Sequence, residues 1–261
     1  MSDFFKLQFL ALLQGITEFL PVSSSAHLAL LKDWMGLEVP GKGPLLEILL
    51  HGGTLVAVFL YYRKTILMTL KGIFRGDADA LNYALLIVLA CLPPALLYFC
   101  AHDFLEEAFQ NPRLIGCCLL ITGGLLYSIR ALKVRPGADP SWKQALGIGI
   151  AQAFAILPGI SRSGSTYVVA RWLKVPSQNA FDFSFLISIP LVLGSILLKV
   201  RDFSQLAGSG CSVFGLVCAF CLSAIVGLAS LKLLSFLRTL GSLWLFAPYC
   251  IVLGVLALIF A

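Results

Sequence analysis

Ten apolar runs joined by short polar segments make up most of the chain: 4–20, 25–36, 45–62, 81–100, 114–131, 144–157, 163–173, 180–200, 212–231 and 243–260. A helix needs ~20 predominantly apolar residues to cross a hydrocarbon core of roughly 30 Å. Six of the runs are long enough. The other four form two pairs, 4–20 with 25–36 and 144–157 with 163–173, each split by a break rich in Pro, Ser or Gly. Two short helical pieces around such a break predict a re-entrant hairpin that enters and leaves the bilayer on one side. Irregular backbone at that depth must be buried in protein or line a wet cavity. The pattern therefore predicts an all-α polytopic membrane protein with about six spanning helices and two re-entrant helical hairpins. The first run carries Gln14 and Glu18 and lacks a small-residue cleavage site, so it reads as part of the bundle and not as a signal peptide.

Composition removes the soluble alternatives. Of 261 residues, 59% are apolar and 12% charged, and the mean hydropathy is +0.93. Soluble domains carry about a quarter charged residues, so residues 1–261 read as a single transmembrane domain. Six of the eight cysteines, Cys91, Cys117, Cys118, Cys218, Cys221 and Cys250, lie in apolar runs and read as small packing residues. The net charge of +6 does not point to nucleic acid, because the basic residues gather in short loops. If 63–79 faces the cytoplasm, so do 130–143, 171–179 and 232–242, and these loops hold twelve of the nineteen Lys and Arg residues. The opposite side holds six, and Arg162 lies inside a hairpin. That bias puts both termini outside the cytoplasm and brings the hairpins in from opposite faces.

A weak internal repeat accompanies this topology. Leu20 to Ser24 shares L-P-x-x-S with Leu157 to Ser161, an offset of 137 residues, and Glu47 precedes Asp182 by 135. Pseudo-repeat halves of about 1–130 and 131–261 follow, an inverted repeat whose broken helices meet near the midplane.

The two breaks carry the chemistry. In the first, Gln14 and Glu18 share one helix face, and Ser23, Ser24, Ser25 and His27 follow the Pro21 break. An ionisable residue at membrane depth costs at least ~2.5 kcal/mol and turns toward a cavity or a partner. In the second, Gly159, Ser161, Arg162, Ser163, Gly164, Ser165 and Thr166 follow Pro158. Gly159 to Thr166 superficially matches a nucleotide-binding phosphate loop, but Ser165 stands where the lysine belongs. The physics still fits an oxyanion: convergent N–H groups, a helix N-terminus, hydroxyls and a planar guanidinium fork.

These segments, QGITEFLPVSSSAH and PGISRSGST, resemble the two signature segments of the bacterial undecaprenyl-diphosphate phosphatases, the bacitracin-resistance membrane family. The family's (E/Q)-x-x-x-E followed by P-V-S-S-(S/T)-x-H is matched at Gln14, Glu18, Pro21, Val22, Ser23, Ser24, Ser25 and His27. Its P-G-x-S-R-S-x-x-T is matched at Pro158, Gly159, Ser161, Arg162, Ser163 and Thr166. Gln14 departs from members that have a second glutamate there. The resemblance extends to 47–54 and 183–190. It implies hydrolysis of undecaprenyl diphosphate to the monophosphate and inorganic phosphate, dependence on a divalent cation, and action on the extracytoplasmic face of a bacterial plasma (inner) membrane.

On that footing Glu18, Ser24, His27 and Arg162 are the expected catalytic set. Ser23, Ser25, Gly159, Ser161, Ser163, Gly164 and Thr166 are expected to bind the diphosphate. Glu18 and Gln14 are expected to hold Mg2+ or Ca2+, since hard cations prefer oxygen ligands. Ser24 is favoured as nucleophile with His27 as its base, because a spacing of three puts them on one face if a helix begins at Ser24. Glu47 and Asp182 either face the cavity or complement helix starts. His51 precedes Gly52 and Gly53, a pair read as permitting close helix packing, and His102 is read as lying in a solvated loop. The alternative function is a transporter or flippase of a polyprenyl phosphate using the same pocket; an intramembrane serine protease would leave Arg162 without a role. Small residues such as Gly123 and Gly124 are compatible with a homodimer.

Overall fold

The computed structural model describes residues 3–34, 45–132, 137–199 and 212–260, and its regular elements there are helices. In chain order they are α1 (Asp3–Thr17), α2 (Ser24–Trp34), α3 (Leu45–Phe74), α4 (Ala78–Cys100), α5 (His102–Phe109) and α6 (Pro112–Ser128). The second part of the chain has α7 (Trp142–Phe154), α8 (Arg162–Trp172), α9 (Ser177–Leu186), α10 (Ser188–Lys199), α11 (Val213–Thr239) and α12 (Phe246–Ile259). Both expected breaks are present, between α1 and α2 and between α7 and α8.

Five segments are long and apolar enough to cross a membrane: Leu45–Phe74, Ala78–Cys100, Pro112–Ala131, Ser177–Lys199 and Val213–Thr239. The sixth expected span is a three-residue 3-10 turn running into the fourteen-residue α12, together ~25 Å long at 1.5 Å per residue. Large apolar side chains face outward along the bundle, with Leu197 71%, Ile225 69% and Leu96 67% exposed. In a bilayer such a surface meets lipid tails, which makes this a multi-pass membrane protein.

Two helices outrun the apolar runs that announced them. α3 continues through Arg63, Lys64 and Lys71, which were read as loop, and stops at Gly76, whose φ of 74° leaves the helical region. α11 likewise continues to Thr239 through Lys232 and Arg238, and Gly241 follows it at φ 67°. Lys and Arg are good helix formers, so the polar ends extend past the hydrocarbon core without breaking. Residues 102–109 were also expected to be loop and instead form α5, which buries Leu105 and Ala108. The side chains of His102, Asp103 and Glu106, and the basic residues Lys42, Lys133, Arg135 and Arg201, lie outside the described residues.

Prolines weaken two spans, and in α4 a neighbouring helix takes up a freed carbonyl. Pro190 has no N–H for the carbonyl four residues back, and the 177–199 span breaks at Ile187 into α9 and α10. The Cys91 thiol donates to the Ile187 carbonyl at 3.3 Å. Within α4, Pro94 cannot serve the Ala90 carbonyl, and the Gln152 amide of α7 donates to it at 3.2 Å. The seven described cysteines are free thiols.

The helices pack in a reciprocal pattern. α1 lies along α11 and α7 along α4, while α6 lies against α12 and α3 against both α10 and α11. Close approach at the α4–α7 contact requires Gly149, where a Cβ would sit 2.6 Å from the Ala90 carbonyl oxygen and 2.9 Å from its Cα. Gly149→Leu is expected to destabilise the detergent-purified protein by about 1–3 kcal/mol, since backbone cannot yield as a side chain can. A thermal melt indistinguishable from wild type would show that α4 and α7 do not approach this closely.

Candidate active site

The two breaks touch each other directly. Ser23, in the first, has φ 65°, a left-handed conformation uncommon outside glycine. Its hydroxyl accepts from the Gly159 N–H of the second break at 3.1 Å. Gly159 itself has φ 101°, and a Cβ there would lie 2.5 Å from the Ile115 carbonyl oxygen, so only glycine fits against α6. Each break is also fastened by the last spanning helix of one half of the chain. On α6, the Thr122 hydroxyl donates to the Gly159 carbonyl at 2.8 Å and accepts from the Ser161 N–H at 3.1 Å. On α12, the Cys250 thiol contacts the Pro21 carbonyl at 3.5 Å.

Glu18 is the centre of the arrangement. One turn past Gln14, its backbone N–H still bonds the Gln14 carbonyl at 2.9 Å, so the shared helix face expected for the pair is kept. Glu18 Oε1 accepts from Arg162 Nη2 at 2.5 Å, across the junction of the breaks. Glu18 Oε2 accepts from the Gln14 amide at 2.9 Å and from the Ser24 hydroxyl at 2.8 Å, and lies 3.2 Å from His51 Nε2. The carboxylate is buried. Two atoms beside it are buried without a hydrogen-bond partner: Gln14 Oε1, an acceptor, and Arg162 Nη1, a donor. Buried polar atoms are seldom left unsatisfied in proteins, and those that are often mark a ligand or ion position.

The two histidines of the site have different partners. His51 Nδ1 lies 2.7 Å from the Glu47 carbonyl oxygen, which can only accept, and Nε2 faces the Glu18 carboxylate. Both ring nitrogens must therefore carry hydrogen, and the ring is an imidazolium. Glu18 thus stands between two cations, Arg162 and His51. His27 Nδ1 lies 2.7 Å from the Ser23 carbonyl oxygen, so that nitrogen also carries hydrogen. Its Nε2 meets the Tyr249 hydroxyl at 2.6 Å, a partner able to donate or to accept.

α2 does begin at Ser24, yet the Ser24 hydroxyl turns to Glu18 and not to His27, which is engaged by Ser23 and Tyr249. Around Arg162, the expected phosphate-binding groups make bonds that shape the loop. Ser161 caps α8 by accepting from the Gly164 N–H at 3.2 Å. Ser163 reaches the Leu20 carbonyl at 3.4 Å and Ser161 at 3.3 Å, and Thr166 donates to the Arg162 carbonyl at 2.7 Å. Ser25 pairs with the Ser23 hydroxyl at 3.2 Å. Glu47 is in the first turn of α3, one turn from His51. Asp182 is in the middle of α9, accepting from the Tyr62 hydroxyl at 2.9 Å and the Gln178 amide at 2.7 Å. No interaction links Asp182 to Glu18 among the described residues.

Sequence reasoning passed over His51 and Tyr249. A single histidine before Gly52-Gly53 in an apolar run gives no local sign of its partner, and Tyr249 lies 222 positions from His27. The described residues contain no cluster of three or more His, Cys, Asp or Glu side chains suited to a metal. Gln14 Oε1 is a buried, unpartnered oxygen of a kind that suits a hard cation, although it is the Gln14 amide nitrogen that faces the Glu18 carboxylate.

Known proteins match this sequence over nearly its full length. The family model described as bacitracin resistance protein BacA matches residues 7–256. An undecaprenyl-diphosphatase of Desulfatibacillum aliphaticivorans is 41% identical, covering 96% of each chain. Undecaprenyl-diphosphatase 2 of Bacillus thuringiensis is 36% identical over 98% of this chain and 97% of its own. An undecaprenyl-diphosphatase of the archaeal genus Methanosphaera, from Methanosphaera stadtmanae, is 36% identical over 99% and 98%.

A carboxylate shared by two cations makes removal of its partners unequal. Glu18→Ala leaves two partly buried cations unpaired and is expected to cost about 3 kcal/mol or more. Arg162→Ala leaves Glu18 with His51, Ser24 and Gln14 and is expected to cost about 1–3 kcal/mol. Denaturation of the two purified variants in one detergent checks the order; equal losses, or the reverse order, would contradict the shared carboxylate.

Proposed function

The chain belongs to the bacitracin resistance protein BacA family, and from that premise we propose that it hydrolyses undecaprenyl diphosphate to undecaprenyl phosphate and inorganic phosphate at the junction of its two breaks. The observation that carries this reading is the buried, unpartnered Nη1 of Arg162 beside a carboxylate already held by two cations. A planar fork with a free arm is suited to a phosphate, and phosphoryl transfer is chiefly positioning and charge stabilisation.

Entry of the diphosphate draws Arg162 and His51 from Glu18 to phosphate oxygens, with the N-terminus of α8 and its hydroxyls completing the cradle. Glu18 Oε2, to which the Ser24 hydroxyl already donates, receives the Ser24 proton along that hydrogen bond. Ser24 Oγ then bonds to the terminal phosphorus as the bridging P–O bond breaks, and undecaprenyl phosphate leaves. A water attacks the phosphoserine, giving a proton to His27 Nε2 once that nitrogen is free of Tyr249; Ser24 recovers its proton from Glu18, inorganic phosphate is released, and His27 returns its proton to bulk water. Gln14 Oε1 and Glu18 would hold Mg2+ or Ca2+, which neutralises diphosphate charge when bound.

The reaction recycles a lipid carrier for peptidoglycan synthesis, which would underlie resistance to bacitracin, and it belongs on the extracytoplasmic face of the plasma membrane. The substrate is a membrane lipid; of the small residues compatible with a homodimer, Gly123 packs within the chain against Ile251 and Ala247, whereas a Cβ on Gly124 would meet nothing within 4 Å. No observation favours the transporter reading.

Purified protein given a polyprenyl diphosphate and Mg2+ is expected to release phosphate, to lose that activity in EDTA and to regain it when Mg2+ is restored. Arg162→Ala is expected to lower kcat by ~100-fold or more, and Arg162→Lys to recover only part, because a point charge replaces a fork. Movement of a polyprenyl phosphate across liposomes without phosphate release would contradict the hydrolase reading.

A further inference from the structure

Among the described residues, three backbone atoms of the second break are tied to other segments, and one hydroxyl on α6 takes two of them. Thr122 donates to the Gly159 carbonyl at 2.8 Å and accepts from the Ser161 N–H at 3.1 Å. The third atom is the Gly159 nitrogen, whose hydrogen Ser23 accepts. Thr122 is buried, and it does not make the bond usual for a hydroxyl in a helix. Thr17, Thr166 and Ser184 each donate to the carbonyl four residues back on their own helix, a common local arrangement. Thr122 instead sends its hydrogen out of α6, to a residue 37 positions away.

Directly beyond this clamp is the start of α8. Ser161 is its N-cap, and the Ser161 hydroxyl and carbonyl accept from the N–H groups of Gly164 and Ser165. The first two helical N–H groups, those of Arg162 and Ser163, have no acceptor among the described residues, as a helix start leaves them. With the Arg162 guanidinium they are the donors that a phosphate would meet. At rest the turn has a further tether, the Arg162–Glu18 pair. A diphosphate that takes Arg162 from Glu18 removes that tether. The two bonds of Thr122 and the Ser23 contact then remain to hold the turn.

We propose that Thr122 is a positioning residue for the phosphate site, keeping the Ser161 turn and the first amides of α8 in place when Arg162 leaves Glu18 for substrate. It touches no phosphoryl group and acts through the backbone of Gly159 and Ser161. A hydroxyl is required, because one group must donate and accept at once; valine has nearly the same outline and can do neither. This inference rests on the hydrolase reading given above.

Two measurements on the full-length protein in detergent test it. The first compares hydrogen–deuterium exchange across 159–165 with and without inorganic phosphate. Phosphate is expected to slow exchange there in wild type and in Thr122→Ser, and Thr122→Val is expected to lose most of that protection. General loosening would raise exchange equally in both conditions, so phosphate protection kept in full by Thr122→Val would overturn the proposal. Absence of phosphate protection in wild type would overturn it too, leaving turnover to decide the hydrolase reading. The second measurement is turnover of farnesyl diphosphate with Mg2+. Thr122→Val is expected to lower kcat/KM about 10-fold, and Thr122→Ser to stay within about 3-fold of wild type. Unchanged kcat/KM in Thr122→Val, or a serine variant as impaired as the valine one, would each overturn it. If Thr122→Val does not fold, Thr122→Cys takes its place in both measurements, since a thiol donates and accepts weakly; it is expected to fall below Thr122→Ser, and equality with Thr122→Ser would overturn the proposal. No turnover of the probe by wild type would count against the hydrolase reading, leaving the clamp to be decided by exchange.

Discussion

One buried carboxylate holds the two halves of the site in contact. Glu18 belongs to the first break, Arg162 to the second, and His51 to the long α3 between them. Burying an ion pair in a low-dielectric interior is costly unless further hydrogen bonds satisfy the remaining lone pairs. Gln14 and Ser24 supply those bonds. The same groups recur in the chemistry: the guanidinium, imidazolium and hydroxyl that neutralise Glu18 at rest are those a diphosphate would recruit. Arg162 and His51 are cations that a polyanionic substrate can recruit in place of Glu18.

Backbone details far from Glu18 make that contact possible. Two interrupted helices would leave unpaired N–H and C=O groups inside the bilayer, where each costs free energy. Here Ser23, Thr122 and the Ser161 cap take up those groups. Gly159 lets the second break press onto α6, and Gly149 lets α7 approach α4 closely enough for Gln152 to satisfy a carbonyl freed by Pro94. The unusual backbone of Ser23 is kept by its own hydroxyl and carbonyl, which bind the opposite tip and His27. Strain of this kind persists only where its surroundings over-determine it, and that is commonly at a functional site.

Much of this was readable in the chain. Short apolar runs flanking Pro, Ser and Gly announced both breaks to within a few residues, and the Gln14–Glu18 spacing placed two polar groups on one face. What could not be read came from contacts between distant segments. His51 acquires its meaning from α3 packing on α1, which no local pattern around residues 51–53 encodes. Ser24 and His27 have the spacing of a dyad, yet Glu18 competes for the hydroxyl and Ser23 and Tyr249 for the ring. The ends of α3 and α11 were misjudged because apolar length reports where lipid stops and not where a helix stops. The division of 177–199 at Ile187 follows from Pro190, whose effect on a carbonyl four residues earlier is hidden in a run that stays apolar throughout.

The most direct measurement is an experimental structure of the protein with a non-hydrolysable polyprenyl methylenebisphosphonate bound. The account predicts that a phosphonate sits between the two breaks with oxygens about 3 Å from the Arg162 guanidinium, and that Arg162 has turned away from Glu18 to reach it. An analogue bound elsewhere, with the Arg162–Glu18 pair intact, would contradict the claim that this junction is where the diphosphate is recognised.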